Sequence, residues 1–303
     1  MNYRLAAIIP CYNEEITVGK VISDLKKYVP TADIYVFDNN STDKTAAVAE
    51  ACGAKVIREK RQGKGFVVQS MFHKLDADIY LMVDGDDTYD LSQANEMISL
   101  VHNDKADMVV GNRLKTHTSK SFRGLHTLGN KLVRSLVNRL FRAELQDIMS
   151  GLRVMNRTFV KNINPSAPGF EVETEITIKA LKYNFVIREI DIQYRERPEG
   201  SFSKLKTFND GFLVLRTIFM IFKDYKPLLF FSVISFIMLV ISLLAGSVVI
   251  QEFIETRFIK HVPLAIFASG TMILSILFFM TGIIADSVNR RFDELYNFIR
   301  HKD

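Results

Sequence analysis

Charge is missing from two long stretches near the end of the chain. Pro227 to Ile250 and Val262 to Ala285 each run 24 residues without Asp, Glu, Lys or Arg, and about 20 apolar residues cross the hydrocarbon core of a bilayer as a helix. Both are therefore expected to span a membrane rather than to lie inside a soluble core. The linker Gln251 to His261 is too short for anything but a hairpin with both flanks on one side. Basic residues are scarce in that linker, which holds Arg257 and Lys260. By contrast Lys206, Arg216, Lys223 and Lys226 precede the first span, and Arg290, Arg291, Arg300 and Lys302 follow the second. This asymmetry predicts a multi-pass plasma-membrane protein whose amino-terminal part and tail face the cytoplasm. Met1 to Pro10 has no basic segment leading into a long apolar region, so no secretory signal is expected. Cysteine is almost absent: Cys11 and Cys52 are the two, which excludes a disulfide framework and leaves ordinary reduced thiols. A net charge of +5 is modest, and no nucleic-acid partner is expected.

Acidic charge is concentrated instead at the end of one apolar run. Ile79 to Val83 reads as a strand interior, and Asp84, Asp86, Asp87 and Asp90 follow it. Open α/β sheets hold ligands at the carboxyl ends of their strands. Carboxylates this close repel one another unless a cation sits among them, and hard oxygen donors suit Mg²⁺ or Mn²⁺ holding a diphosphate. On this stretch alone a solvated Asp-rich turn is an equal alternative. The surrounding pattern bears on the choice. Residues 4 to 10, Asp33 to Asp38, Lys55 to Arg58, Asp78 to Val83 and Ala106 to Val110 read as strands. They alternate with helices over Ile16 to Tyr28, from a cap at Ser41 or Thr42 through Cys52, from Gly63-Lys64-Gly65 to Leu75, and over Leu91 to His102. Such alternation predicts a Rossmann-like α/β domain with a parallel sheet and right-handed crossovers.

Polar sequences recur after successive strands: Ile8-Ile9-Pro10-Cys11-Tyr12-Asn13-Glu14-Glu15, Asp38-Asn39-Asn40-Ser41-Thr42-Asp43 and Asp84-Gly85-Asp86. In this order and at these separations they closely resemble the inverting family 2 glycosyltransferases. Within that family the chain is similar to the polyprenyl-phosphate hexosyltransferases, the group of dolichol-phosphate mannose synthase and the bacterial undecaprenyl-phosphate glucosyltransferases. The resemblance covers nearly the whole length and implies a GT-A catalytic domain with a DXD motif that binds sugar nucleotide and metal, here Asp84 and Asp86. Asp86 is the stronger candidate ligand. Read physically, Pro10 fixes the chain leaving the first strand, Tyr12 and Glu14 suit the base and ribose, and Asp38 meets the base edge. Lys64, at a helix start between glycines, suits the diphosphate, although a solvated turn has the same pattern.

The second half adds cations. Gly111-Asn112-Arg113 matches the family's Gly-Ser-Arg or Gly-Asn-Arg, which implies Arg113 at the acceptor phosphate. Asp147-Ile148-Met149-Ser150-Gly151-Leu152-Arg153 resembles the family's Asp-x-x-Ser-Gly-Phe-Arg with Leu152 for Phe, and Ser150 and Arg153 offer donors to a phosphate. Glu171, Glu173 and Glu175 alternate: on a strand they share a face, and at a helix start Glu171 and Glu175 are neighbours while the acids complement the dipole. Related transferases have this position close to the sugar, which implies Glu173 there. The loop Tyr194 to Leu205 resembles the family's Arg, Gly, Ser, Lys loop over the active site, and Arg197, Ser203 and Lys204, with Arg195 second, are assigned to the nucleotide diphosphate or lipid phosphate. Phe122 to Phe141 carries apolar residues at helical spacing with Arg123, Lys131, Arg134, Arg139 and Arg142 between them. It suits an anionic membrane surface, a core-facing helix being the alternative. Phe208 to Phe222 is a second amphipathic helix leading into the first span.

The expected organisation is thus a cytoplasmic catalytic domain over residues 1–204, a juxtamembrane helix over 205–226, two spans at 227–250 and 262–285, and a tail helix over 286–303. The expected reaction moves a hexose from a nucleotide sugar, UDP-glucose first, to polyprenyl phosphate. The proposed catalytic group is Asp86, Arg113, Arg153, Arg197 and Lys204, an all-cation acceptor pocket facing a metal. UDP-N-acetylglucosamine or GDP-mannose as donor is the alternative. So is a polysaccharide-extending enzyme, although the chain has no tryptophan and so lacks the Gln-x-x-Arg-Trp motif of processive synthases. A membrane scaffold built on an inactive domain is the non-enzymatic reading. Hairpins of this kind pack between protomers in other proteins, so a homo-oligomer is a working hypothesis.

Overall fold

The computed structural model describes residues 3–114, 124–169, 171–198, 200 and 219–300. It divides into two compact units, Met1–Val214 and Leu215–Asp303. Among the described residues of the first unit, seven strands form one sheet in the order β3-β2-β1-β4-β6-β5-β7. They are β1 (Leu5–Cys11), β2 (Asp33–Asp38), β3 (Lys55–Arg58), β4 (Ile79–Met82), β5 (Met108–Asn112), β6 (Arg153–Asn156) and β7 (Ile187–Asp191). The helices of this unit are α1 (Val18–Tyr28), α2 (Thr45–Ala51), α3 (Lys64–Lys74), α4 (Ala94–His102), α5 (Gly124–Phe141), α6 (Arg157–Asn162) and α7 (Val172–Lys182). Apolar residues on both faces of the central strands explain the two cores. One packs Ala7, Ile9, Leu81 and Val154 against Val18, Ile22 and Leu25 of α1 and Met97 of α4. The other packs Ile8, Tyr80, Met82 and Met155 against Val68 and Met71 of α3 and Ile176 of α7.

The expectation of an all-parallel sheet needs one correction. β6 runs antiparallel to both β4 and β5. The excursion after β5 leaves from Asn112 and comes back at Arg153, which pairs with Met82 and Val110 on the same sheet edge. A strand that restarts at the edge where its predecessor ended has to run the other way. A smaller correction concerns α2. Ser41 and Thr42 do not cap it: the Ser41 hydroxyl accepts from Asn13 N–H at 3.0 Å, and Thr42 N–H donates to Asn13 Oδ1 at 2.8 Å. These groups tie the first two strand-edge loops together, and Asp43 takes over at the helix start by accepting from Thr45 N–H at 2.9 Å.

Glu171, Glu173 and Glu175 fall at the start of α7, so the helical alternative holds. α5 follows the predicted amphipathic segment: Val133 and Val137 are buried, whereas Lys131, Leu132 and Arg139 are exposed. Its inner face belongs to the core while the outer face stays free. Arg123 and Phe122 lie outside the described residues, as does most of Phe208 to Phe222, whose described end, from 219, begins a helical stretch that runs to 225.

In the second unit α8 (Pro227–Thr256) and α9 (Val262–Arg300) are both long and apolar enough to cross a membrane. They pack together through small polar residues. Ser235 Oγ donates to Ser275 O and Ser275 Oγ to Ser235 O, each at 2.8 Å, and Ser242 Oγ donates to Ala268 O at 2.8 Å. Phe236, Leu244, Ile266 and Ile276 point outward and are exposed. α8 continues past the uncharged run that ends at Ile250 and stops where Arg257 turns left-handed at φ 55°.

Candidate active site

The carboxyl ends of β1, β2, β4 and β5 and the start of β6 meet along one sheet edge, because Cys11 pairs with Asp38, Ile8 with Met82, and Arg153 with both Met82 and Val110. Four loops are therefore brought together and cross-tied. Asn39 N–H donates to Cys11 O at 2.9 Å, Glu14 N–H to Thr45 Oγ1 at 2.8 Å, and Thr17 Oγ1 to Gly85 O at 2.7 Å. Pro10 closes β1, Tyr12 stands at the rim, and Glu14 and Asp38 are buried. The Cys11 thiol sits in their midst: burial first, then the carboxylates of Glu14, Asp38, Asp84 and Asp86, push its pKa well above the ordinary value. It is a neutral packing group, as expected. Gly85 is required here, since a Cβ on it would lie 2.6 Å from Cys11 Sγ.

The four acids after β4 separate in space. Asp87 adopts φ 57° and lies 3.9 Å from Lys20 of α1. Asp90 accepts from Ser92 N–H at 2.7 Å and pairs with Arg195. Asp84 and Asp86 remain for the site. Asp84 Oδ1 accepts from Lys64 Nζ at 2.6 Å, and the same ammonium contacts Glu173 Oε1. Burial alone would pull the Lys64 pKa down, but Asp84 and Glu173 outweigh it and hold the group above the ordinary lysine value. Asp86 Oδ1 accepts from Thr88 Oγ1 at 2.6 Å, and its Oδ2 accepts from Arg197 Nη2. Arg197 also stands 3.7 Å from Glu14. Among the described residues, Glu173 Oε2 and Ser150 Oγ are buried without a hydrogen-bond partner, and such groups call for a ligand or water.

Arg113 is nearly buried and held on two sides. Its Nε and Nη2 donate to Asp147 at 2.7 and 3.0 Å, and the guanidinium lies 5.4 Å from the centre of the Tyr194 ring. Its Nη1 has no hydrogen-bond partner among the described residues. Burial tends to raise the Asp147 pKa, but Arg113 overrides it and holds the carboxyl below its ordinary value. Glu189 braces this corner by accepting from Gln146 and Asp147 N–H at 2.8 and 2.7 Å.

Arg153 is the site residue whose expected place changes. It is fully buried, and its guanidinium donates to the carbonyls of Ser150 and Ile148 and to Glu173 O and Thr177 Oγ1 at 2.9 to 3.0 Å. As the first residue of β6 it is enclosed in the domain, and it fixes the Ser150 loop to α7. Ser203 and Lys204 lie outside the described residues. Residues the sequence reasoning passed over are Asp147, Tyr89 and Tyr194. Asp147 opened a quoted motif, and the two tyrosines are joined by an antiparallel bridge that nothing in their spacing announced.

A mixed α/β sheet with a carboxylate pair at its ligand edge and arginines beside it defines a GT-A-like nucleotide-sugar enzyme fold. The profile of glycosyl transferase family 2 matches residues 6–163, and the chain belongs to that family. Protein RfbJ of Shigella flexneri is 55% identical over 125 residues, 41% of this chain and 97% of the relative. A dolichyl-phosphate hexose transferase of Haloferax volcanii is 28% identical over 214 residues, covering 71% of this chain and 92% of the relative. Among solved structures, glucosyl-3-phosphoglycerate synthase of Mycobacterium tuberculosis in complex with Mn²⁺, UDP and glucosyl-3-phosphoglycerate has a TM-score of 0.59 at 21% identity, covering 73% and 80% of the two chains. The fold class and the family expected from the motifs are both borne out.

Proposed function

We propose that this glycosyltransferase moves a hexose from a nucleotide sugar, UDP-glucose first, to a polyprenyl phosphate, undecaprenyl phosphate in a bacterial cell, with inversion at the anomeric carbon. The observation that carries the reading is one sheet edge with the Asp84–Asp86 pair on one side and Arg113 on the other, in a chain that also has two helices able to cross a membrane. The relative that transfers hexose to dolichyl phosphate supports the acceptor class. The product serves as a lipid-linked sugar donor for cell-envelope glycan modification. In this reading residues 1–204 form the cytoplasmic catalytic domain, 205–226 lie along the membrane, 227–285 form the transmembrane hairpin, and 286–303 return to the cytoplasm.

The donor set fits a divalent cation. Among the described residues no three His, Cys, Asp or Glu side chains gather as a closed metal cage, and one or two carboxylates completed by diphosphate oxygens and water are what Mg²⁺ or Mn²⁺ uses in such sites. Asp86 and Asp84 would hold it, and when bound it supplies charge neutralisation at the departing diphosphate. Glu14, Asp38 and Tyr12 hold the nucleoside, and Glu173 and Ser150 meet sugar hydroxyls through their unpartnered oxygens. Lys64 and Arg197, now countering Asp84 and Asp86, contact the diphosphate.

A phosphate monoester has its second pKa near ~6, so the acceptor arrives as a nucleophile without a general base. Its oxygen bonds to the anomeric carbon while the bond from that carbon to the diphosphate breaks, and the electron pair leaves with the nucleoside diphosphate. Arg113, fixed by Asp147 and Tyr194, presents Nη1 to the acceptor phosphate, and Arg195, Ser203 and Lys204 are assigned to the same phosphate. The contribution of these cations is positioning and preorganised charge. Arg153 supports the floor rather than touching the phosphate.

The test is a transfer assay on detergent-purified protein with undecaprenyl phosphate and radiolabelled UDP-glucose, UDP-N-acetylglucosamine or GDP-mannose, with and without Mg²⁺ or Mn²⁺. Metal-dependent labelling of the lipid by one donor is expected. Nucleotide binding without lipid labelling would move the acceptor to a growing polysaccharide.

A further inference from the structure

We propose that Tyr89 is a positioning residue that couples the donor-side carboxylate Asp84 to the acceptor-side arginine Arg113; what those two groups hold rests on the function proposed above. Tyr89 is buried, and its two chemical parts face different partners. The phenolic oxygen accepts from Gly151 N–H at 2.7 Å. Gly151 in turn lies against Asp84 so closely that a Cβ there would come within 2.4 Å of Asp84 Oδ2. The hydroxyl therefore fixes the wall on which that carboxylate rests. It also satisfies a buried backbone donor that phenylalanine would leave unpaired.

The ring serves the other side. Tyr89 and Tyr194 meet edge to face, with centroids 5.3 Å apart and planes at 80°, and their backbones form an isolated antiparallel bridge. The flanking bonds Asp90 N–H to Gln193 O at 3.1 Å and Arg195 N–H to Thr88 O at 2.7 Å clamp the two segments together. On Tyr194 sits the Arg113 guanidinium, held from its other side by Asp147. One side chain thus touches, through a single intermediary in each direction, the group assigned to the diphosphate metal and the group assigned to the acceptor phosphate.

The two arms separate by substitution. Tyr89→Phe removes the hydroxyl and keeps the ring; Tyr194→Leu removes the platform under Arg113 and leaves the Gly151 bond; Tyr89→Leu removes both. Full-length protein in detergent would be assayed with varied UDP-sugar at fixed undecaprenyl phosphate and the reverse, with UDP and Mn²⁺ binding by calorimetry alongside. Tyr89→Phe is expected to raise the KM for the sugar nucleotide about tenfold, the scale of one lost buried hydrogen bond, without moving the KM for the lipid phosphate. Tyr194→Leu is expected to do the opposite, and Tyr89→Leu to raise both. Unchanged KM values in Tyr89→Phe, or equal changes in both constants with either single variant, overturn the proposal, as does a lowered thermal midpoint with unaltered kinetics. If the unsubstituted protein labels no lipid, the function proposed above fails on its own, and calorimetry still decides the donor arm: equal UDP–Mn²⁺ affinity in Tyr89→Phe overturns it, and about tenfold weaker binding in Tyr89→Phe and Tyr89→Leu but not in Tyr194→Leu sustains it.

Discussion

The two edges of the sheet carry similar ion pairs in opposite settings. At the amino edge, Arg4, Asp76, Asp78, Arg157 and Lys161 form a network in which Arg4 is 61% exposed and Asp76 48%. At the carboxyl edge, Lys64 is 11% exposed and Glu173 4%, and Asp147 beside Arg113 is 3% exposed. Water screens the first set, so its members are nearly interchangeable with other polar residues. The second set has given up its hydration, and each charge there depends on a particular partner. Pairing in the abstract says little about function. Desolvated pairing at a strand-end edge marks where this protein keeps charges waiting for a ligand.

That contrast is open to attack in a graded way. Lys64→Met strips Asp84 and the buried Glu173 of their shared cation and is expected to cost about 3–5 kcal/mol in a denaturation experiment; a loss no larger than that of a surface variant would erase the distinction between the edges. Asp86→Ala is expected to lower kcat by about 10²-fold or more with the fold intact by circular dichroism, on the scale of losing a preorganised electrostatic group.

Asp147→Asn leaves Arg113 with a neutral partner and is expected to cost about 2 kcal/mol at pH 7. Because Arg113 lowers the folded-state pKa of Asp147, this contribution is complete above the unfolded value near ~4 and disappears as pH falls through the folded value. The stability gap between variant and wild type should therefore close in acid, as melts from pH 7 down to pH 2 would reveal. Asp76→Asn sits at the small end: its thermal midpoint should move least, and whatever shift remains should vanish in molar salt, where surface pairs are screened.

Much of the donor half was readable because strand ends and loop motifs coincide: the run Ile79 to Val83 followed by acids locates β4 and Asp84 almost to the residue. The fate of Asp87 and Asp90 was not, since whether neighbouring acids converge depends on a backbone that turns left-handed at Asp87. Arg153 misled for a related reason. An arginine after Ser-Gly has the chemistry of a phosphate ligand whether it faces solvent or the interior, and it is the alternation of side chains along β6, which puts Arg153 on the α7 side of the sheet with Met155, that buries it. α8 outlasts the expected span 227–250 because neither glycine nor proline interrupts 251–256, and helical hydrogen bonding carries on to Thr256. α9, at 39 residues, extends roughly 58 Å and so runs well beyond a hydrocarbon core of about 30 Å.

The reversed β6 has a further consequence, for how such a protein can change over generations. β5 and β6 are hydrogen-bonded to each other, so everything between Asn112 and Arg153, with Arg113, α5 and Asp147, hangs from an already finished sheet. Lengthening or rewriting that excursion between Arg113 and Asp147 leaves the register of β1 with β4 in place, whereas Gly151 near its end still has to lie against Asp84. In the function proposed above, the Arg113 side of the site is the one free to drift toward new acceptors, an arrangement in which novelty falls mainly in one segment of the chain.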